Sequence, residues 1–103
     1  MRKARDLLSL AEPPEAVFAG SDLQGVGVLR AAHAMGLRVP EDVAVIGFDN
    51  LDLAEYLGLT TVDQGLEESG RTAVDMLTAR LENHGRALQN RRIHLRVIER
   101  RTA

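Results

Sequence analysis

The sequence predicts an α/β fold, a parallel βαβ core flanked by helices, and three observations carry that prediction. Two short apolar runs, AVFAG (16–20) and VAVIGF (43–48), open and close a 33-residue stretch. Between them SDLQGVGVLRAAHAMG has the form of a capped helix. The alternation then continues, with β-branched LTTV (59–62) followed by a strongly amphipathic segment at 66–84. Strand, helix and strand over so short a span make a parallel pair with a right-handed crossover.

Each element has its own local signal. Residues 3–10 suit a short helix carrying Leu7, Leu8 and Leu10, and EPPE (12–15) stops it, because proline restricts both itself and the residue before it. AVFAG reads as a strand buried on both faces. Ser21, followed three residues later by Gln24, has the form of a capping box with Asp22 in the first turn. Leu23, Val26, Ala31 and Met35 are expected to share one side of this helix, which Gly36 ends. LRVPED (37–42) is a tight connection, and LDLAEYLG (51–58) is a short helical turn at best. In the segment at 66–84, Leu66, Gly70, Ala73, Val74, Leu77 and Leu81 form a stripe, with Glu67 and Glu68 in the first turn. Last, IHLRVIERR alternates, with Ile93, Leu95 and Val97 opposite His94 and Arg96, as a half-buried strand does.

Composition narrows the function. With 103 residues, 45% hydrophobic and 27% charged, the chain can form one domain or part of one, with an aliphatic core since only three residues are aromatic. No cysteine is present, so disulfides, thiolate metal sites and a cysteine nucleophile are excluded. The opening MRKARDLLSL lacks the apolar run of a signal peptide, and no segment approaches a membrane span; a cytoplasmic chain with no membrane partner is expected. Charge is uneven: the last 18 residues hold six Arg against Glu99 alone. Because these bases alternate with apolar residues, a strand is the better reading of them than a nucleic-acid tail.

Three strands end in polar residues at what should be one edge of the sheet: Ser21-Asp22, Asp49-Asn50 and Asp63-Gln64. Open parallel sheets bind ligands outside the carboxyl ends of their strands. Hydroxyl, carboxylate and amide groups there suit a neutral, polyhydroxylated ligand. Taken singly, Ser21 is equally a helix cap and Asp49-Asn50 equally a turn. Catalysis has little support. Gly25 and Gly27 make G-x-G, but Arg30 stands where a dinucleotide fingerprint needs a third glycine. Ser21 lies in A-G-S-D-L rather than in a nucleophile elbow. His33, His84 and His94 lack ligand-like spacing, and Asp49 with Asp52 reads as a solvated turn. Neither an enzyme, a cofactor nor a metal site is expected.

Taken in order, AVFAGSDLQGVGVLRAAHAMGLRVPEDVAVIGFDN, LTTVDQ, LEESGRTAVDML and the closing VIERRT resemble the effector-binding region of the LacI/GalR family of bacterial transcription regulators. The resemblance covers essentially the whole chain. It implies a partial periplasmic-binding-protein-like sheet, and residues 1–103 as a C-terminal fragment of an effector and dimerisation domain. Family members carry a helix-turn-helix domain and two α/β subdomains with a small effector, often a sugar, in the cleft between them. The resemblance therefore implies operator DNA contact only through a domain outside this chain, and a homodimer.

Carried over position by position, the resemblance makes Ser21, Asp49 and Gln64 effector-binding residues. Asp22 and Asn50 become structural neighbours, and Val26, Leu53 and Leu57 dimer contacts. Ser21 stands where Asn is frequent, which shortens its reach, and EYLGLTT is about two residues shorter than the family's usual run. The helix at 66–84 would belong to the first subdomain, so its stripe should face water in this chain alone. The alternative reading is a fragment of a periplasmic-type sugar-binding transport protein.

Overall fold

The computed structural model describes residues 1–103. Its elements in chain order are α1 (Arg2–Leu8), β1 (Ala16–Phe18), α2 (Asp22–Ala34), β2 (Ala44–Ile46), α3 (Asp52–Leu57), β3 (Thr61–Asp63), α4 (Leu66–Glu82) and β4 (Arg96–Ile98). β1 and β2 are parallel, with Ala16 opposite Ala44 and Phe18 opposite Ile46. A parallel bridge between Ile46 and Thr60 joins β2 to β3. The Gly47 and Asp49 N–H groups extend that junction by donating to Thr60 O (2.8 Å) and Val62 O (3.0 Å). β4 returns antiparallel on β3, with Thr61 opposite Ile98 and Asp63 opposite Arg96. The strands thus run β1-β2-β3-β4 across one ribbon, the α/β arrangement that the alternation of apolar runs and helices predicts.

Two small aliphatic clusters hold this ribbon against its helices. Leu8, Ala31, Ala32 and Val43 form one, and Val28, Val45, Ala54 and Leu59 the other. Small residues let α2 lie close to the sheet. A Cβ on Gly25 would stand 3.1 Å from Leu59 Cδ2, and one on Gly47 would collide with Asp22 Oδ1. The chain end is fastened beneath the same strands. Thr102 O accepts from Val45 N–H (2.7 Å), while Thr102 Oγ1 donates to Val45 O (2.7 Å) and accepts from Thr60 N–H (2.8 Å).

Several local expectations need correcting. β1 is not buried on both faces: Ala16 is exposed, and Phe18 is 63% exposed. α2 buries Asp22, Gly25, Val28, Ala31 and Ala32, whereas Leu23 is exposed. Its inward face is built mostly of small residues; of the expected stripe Ala31 is buried and Met35 packs against the core, and only Leu23 turns to solvent. β4 covers only Arg96–Ile98, and Leu95 and Val97 are exposed. The reason is geometric, since β3 supplies three residues to pair with before the chain turns away into α4. LDLAEYLG does form a helix, α3, closed by Gly58 in the left-handed region at φ 64°.

α4 departs from the core. No residue of it is buried, and Leu66, Val74, Leu77 and Leu81 all stand open to solvent. The radius of gyration is 18.5 Å over extents of 59 × 24 × 17 Å, against about 13 Å for a compact domain of this length. The apolar stripe read from the sequence is real, and it faces water.

Candidate functional site at the strand edge

The carboxyl ends of β1, β2 and β3 meet at one edge, where the polar pairs read from the sequence are brought together. At the end of β1, Ser21 caps α2: its Oγ accepts from Gln24 N–H at 3.2 Å. The reciprocal half of the expected capping box is displaced by one residue, because Gln24 Oε1 accepts from Gly20 N–H (3.1 Å) rather than from Ser21. The next residue, Asp22, donates its N–H to Phe48 O at 2.8 Å, which fixes the start of α2 against the end of β2. The Phe18 and Phe48 rings meet edge to face beside this junction, with centroids 6.4 Å apart.

β2 ends in a sharp turn. Asp49 has φ 119° and Asn50 φ 56°, two successive residues with a Cβ in the region that favours glycine. Such conformations persist only where surrounding contacts over-determine them, and they gather at functional sites. Here Asp49 N–H is paired with β3, and Asp49 Oδ1 accepts from Gln64 Nε2 at 2.7 Å. Asn50 donates its N–H to Thr61 Oγ1 (3.3 Å) and its Nδ2 to Asp63 Oδ2 (3.4 Å), and its Oδ1 accepts from Arg100 Nη2 (3.0 Å).

Asp22 stands in the first turn of α2. It is fully buried, with Oδ1 accepting from Thr61 Oγ1 (2.5 Å) and Oδ2 from Leu51 N–H (2.7 Å). At the end of β3, Asp63 Oδ1 accepts from Gly65 N–H (2.8 Å) and Oδ2 from Arg96 Nη2 (3.3 Å). Gly65 itself, at φ 62°, is the left-handed residue from which α4 starts. The Gly65 N–H, then the Arg96 and Asn50 donors, hold the Asp63 carboxyl below the usual carboxylate range.

Asp49, Asn50, Asp52 and Asp63 line an open groove together with Leu51, Leu53, Leu66 and Glu67. Its acceptors and short apolar walls suit a ligand rich in hydroxyl groups. Of the residues singled out in the sequence, the structure joins Asp49 to Gln64, sets Asn50 beside Asp49 in the groove and Asp22 buried behind the turn, and occupies Ser21 Oγ with the cap of α2. Arg96 and Arg100 were not foreseen here. Their signal was the alternation of arginine with apolar residues in the last strand, which says that one face is polar but not what it meets. Val26 and Leu57 line a separate apolar groove with Leu29, Leu37 and Val39, whereas Leu53 lies at the acidic edge.

A family model described as the periplasmic binding protein-like domain matches residues 1–103. The chain belongs to that family. Over nearly its whole length it is similar to that domain in LacI-type regulators. It is 44% identical to the HTH-type transcriptional repressor PurR of Escherichia coli O1:K1, over 98% of this chain and 30% of that protein. Among solved structures, the complex of the transcriptional regulator CelR with cellobiose superposes with a TM-score of 0.89 at 36% identity, covering 97% of this chain and 31% of that one. A LacI family transcriptional regulator from Enterococcus faecium with bound ribose gives a TM-score of 0.88 at 31% identity, covering 98% and 38%. The chain thus spans about a third of the length of the relatives it matches. These relatives are named as regulators, not enzymes, and in this periplasmic binding protein-like domain no helix is long and apolar enough to cross a membrane.

Proposed function

We propose that this chain is the effector-sensing and dimerisation portion of a cytoplasmic, LacI-type, DNA-binding transcription regulator, a C-terminal fragment of its effector domain. The observation that carries the reading is Asp49, a carboxylate held in a left-handed turn at the carboxyl edge of the sheet and hydrogen-bonded to Gln64. Asp49 and Gln64 contact a small polar effector, and Ser21 contributes from the neighbouring strand end. The sugars named in two related structures, cellobiose and ribose, favour a sugar-like ligand. Names of repressors and regulators among the relatives favour this role over a transport-type binding protein.

The other cleft wall and the helix-turn-helix domain lie outside this chain, and operator DNA is contacted only there. The apolar groove holding Val26 and Leu57 serves the homodimer contact. Regulation follows from differential affinity: effector binds one cleft arrangement better than the other and so shifts the population that engages the operator. Gln64 stands next to Gly65, the left-handed start of α4, so a contact at Asp49 reaches the base of the helix that leads into the other subdomain. The test is calorimetric titration of the full-length parent with a panel of sugars and nucleosides. Asp49→Ala is expected to weaken the cognate effector by about tenfold or more, since hydrogen bonds to a charged group are worth roughly 1.5–3 kcal/mol. Unchanged affinity would overturn the assignment.

A further inference from the structure

We propose that Asp22 and Thr61 are positioning residues which lock the Asp49-Asn50 turn in its left-handed conformation; the inference rests on reading Asp49 as the effector-contacting carboxylate. Glycine is the ordinary occupant of positive φ, and here two residues with a Cβ adopt it in succession, at 119° and 56°. Something must hold them there.

Three consecutive backbone N–H groups supply the answer. Asp49 donates to Val62 O (3.0 Å), Asn50 to Thr61 Oγ1 (3.3 Å) and Leu51 to Asp22 Oδ2 (2.7 Å). The first is an ordinary ladder bond of the sheet. The other two end on side chains, and those side chains are bound to each other, since Thr61 Oγ1 donates to Asp22 Oδ1 (2.5 Å). That donation sets the hydroxyl's direction and leaves its lone pairs for the Asn50 N–H. Neither residue is exposed to solvent, so no water competes for these acceptors.

A helix-start acid acting on the α2 terminus alone would aim its carboxylate at the free N–H groups of the first turn. Asp22 instead directs both carboxylate oxygens away from α2, one to β3 and one to the entrance of α3. The pair therefore ties three elements to the one turn that presents Asp49. Gly47 makes room for it, because any side chain at that position would collide with Asp22 Oδ1.

The experiment is amide hydrogen exchange resolved to single residues, on the full-length protein, comparing Thr61→Val, Thr61→Ser and Asp22→Asn with wild type. Valine keeps the shape of Thr61 and removes its hydroxyl. Thr61→Val is expected to speed exchange at Asn50 and Leu51 by roughly tenfold or more, the scale of a lost hydrogen bond in local opening. Val28 and Val45, in α2 and β2, should keep their rates, and Thr61→Ser should restore the protection of Asn50 and Leu51. Asp22→Asn should reproduce the local effect; if that variant does not fold, Thr61→Val decides alone. Unaltered exchange at Asn50 and Leu51 would overturn the lock, as would equal acceleration at all four positions, which would mark Thr61 as a general stabiliser. The test needs no effector. If Asp49→Ala leaves effector affinity unchanged while Thr61→Val still loosens the turn, the lock stands and the effector reading falls.

Discussion

Asp49 and Asp42 both sit in turns beside β2, yet the chain uses them in opposite ways. Asp42 has its oxygens fully engaged by one neighbour. Oδ2 accepts from the Arg38 backbone N–H (2.7 Å) and Nε (3.0 Å), and Oδ1 from Nη2 (2.8 Å). The Arg38 side-chain hydrogen bonds, then its backbone N–H, lower the Asp42 carboxyl from 3.8 to about 2. A depressed carboxylate contributes stability that is complete above its unfolded value and is lost as the pH falls through the folded one. The expected acid titration therefore has a component that begins to fade near pH 4 and has gone below about pH 2. Asp42→Asn should remove that component from the pH dependence of thermal unfolding; an identical acid limb in the variant would contradict it. Asp42 stands at the surface, so the size of the effect should shrink with added salt. Asp49, by contrast, has one oxygen held by Gln64 and the other without a protein partner, which is what an acceptor for a ligand hydroxyl requires.

Among the elements, legibility in the sequence followed how local each signal was. The start of α2 could be read from Ser21 and Gln24 and its stop from Gly36, because caps act within a turn of the helix. The full inward face of α2 could not, because Gly25 and Ala32, beside the expected Ala31, face inward only by virtue of what the sheet brings against them. The last strand was overread for a similar reason: alternation at 93–97 is genuine, but a strand needs a partner, and β3 offers three residues. Two of its arginines, which in sequence resemble a basic tail, are hydrogen-bonded to the body of the molecule. Arg100 donates to Leu59 O and Asn50 Oδ1, and Arg101 donates to Leu57 O. At the strand edge, the position of Asp49 was legible from topology, whereas the burial of Asp22 behind it depends on the approach of β3, 39 residues along the chain.

α4 is the element whose sequence and surroundings most disagree. Its stripe is that of a buried helix, and none of it is buried. Covering even three such leucines is worth about 1.5–3 kcal/mol each, so the isolated 103-residue chain is expected to self-associate through this face or to bind apolar dyes. Sedimentation and dye fluorescence read this directly. A monodisperse monomer with no dye binding would contradict it.

At the scale of the whole molecule, the elongated shape and the unpaired edge of β1 support the proposed reading of one side of a larger structure. The compact part carries the turn lock and the acidic groove, and α4 leads out from Gly65. On the proposed function, the effector is gripped between this edge and a second wall, and the lock keeps Asp49 in place while the walls move. A fixed contact costs less ordering on binding than one that must first form, so the strained turn has a use despite its conformational cost. The measurement that tests this account most directly is the crystal structure of the full-length parent with its effector, once titration has identified it. The expected result is an effector hydroxyl within about 3.2 Å of an Asp49 oxygen, with Asp49 and Asn50 keeping positive φ and Gln64 beside the ligand. An effector bound elsewhere, or bound in the cleft with the Asp49 carboxylate making no contact to it, would contradict the account.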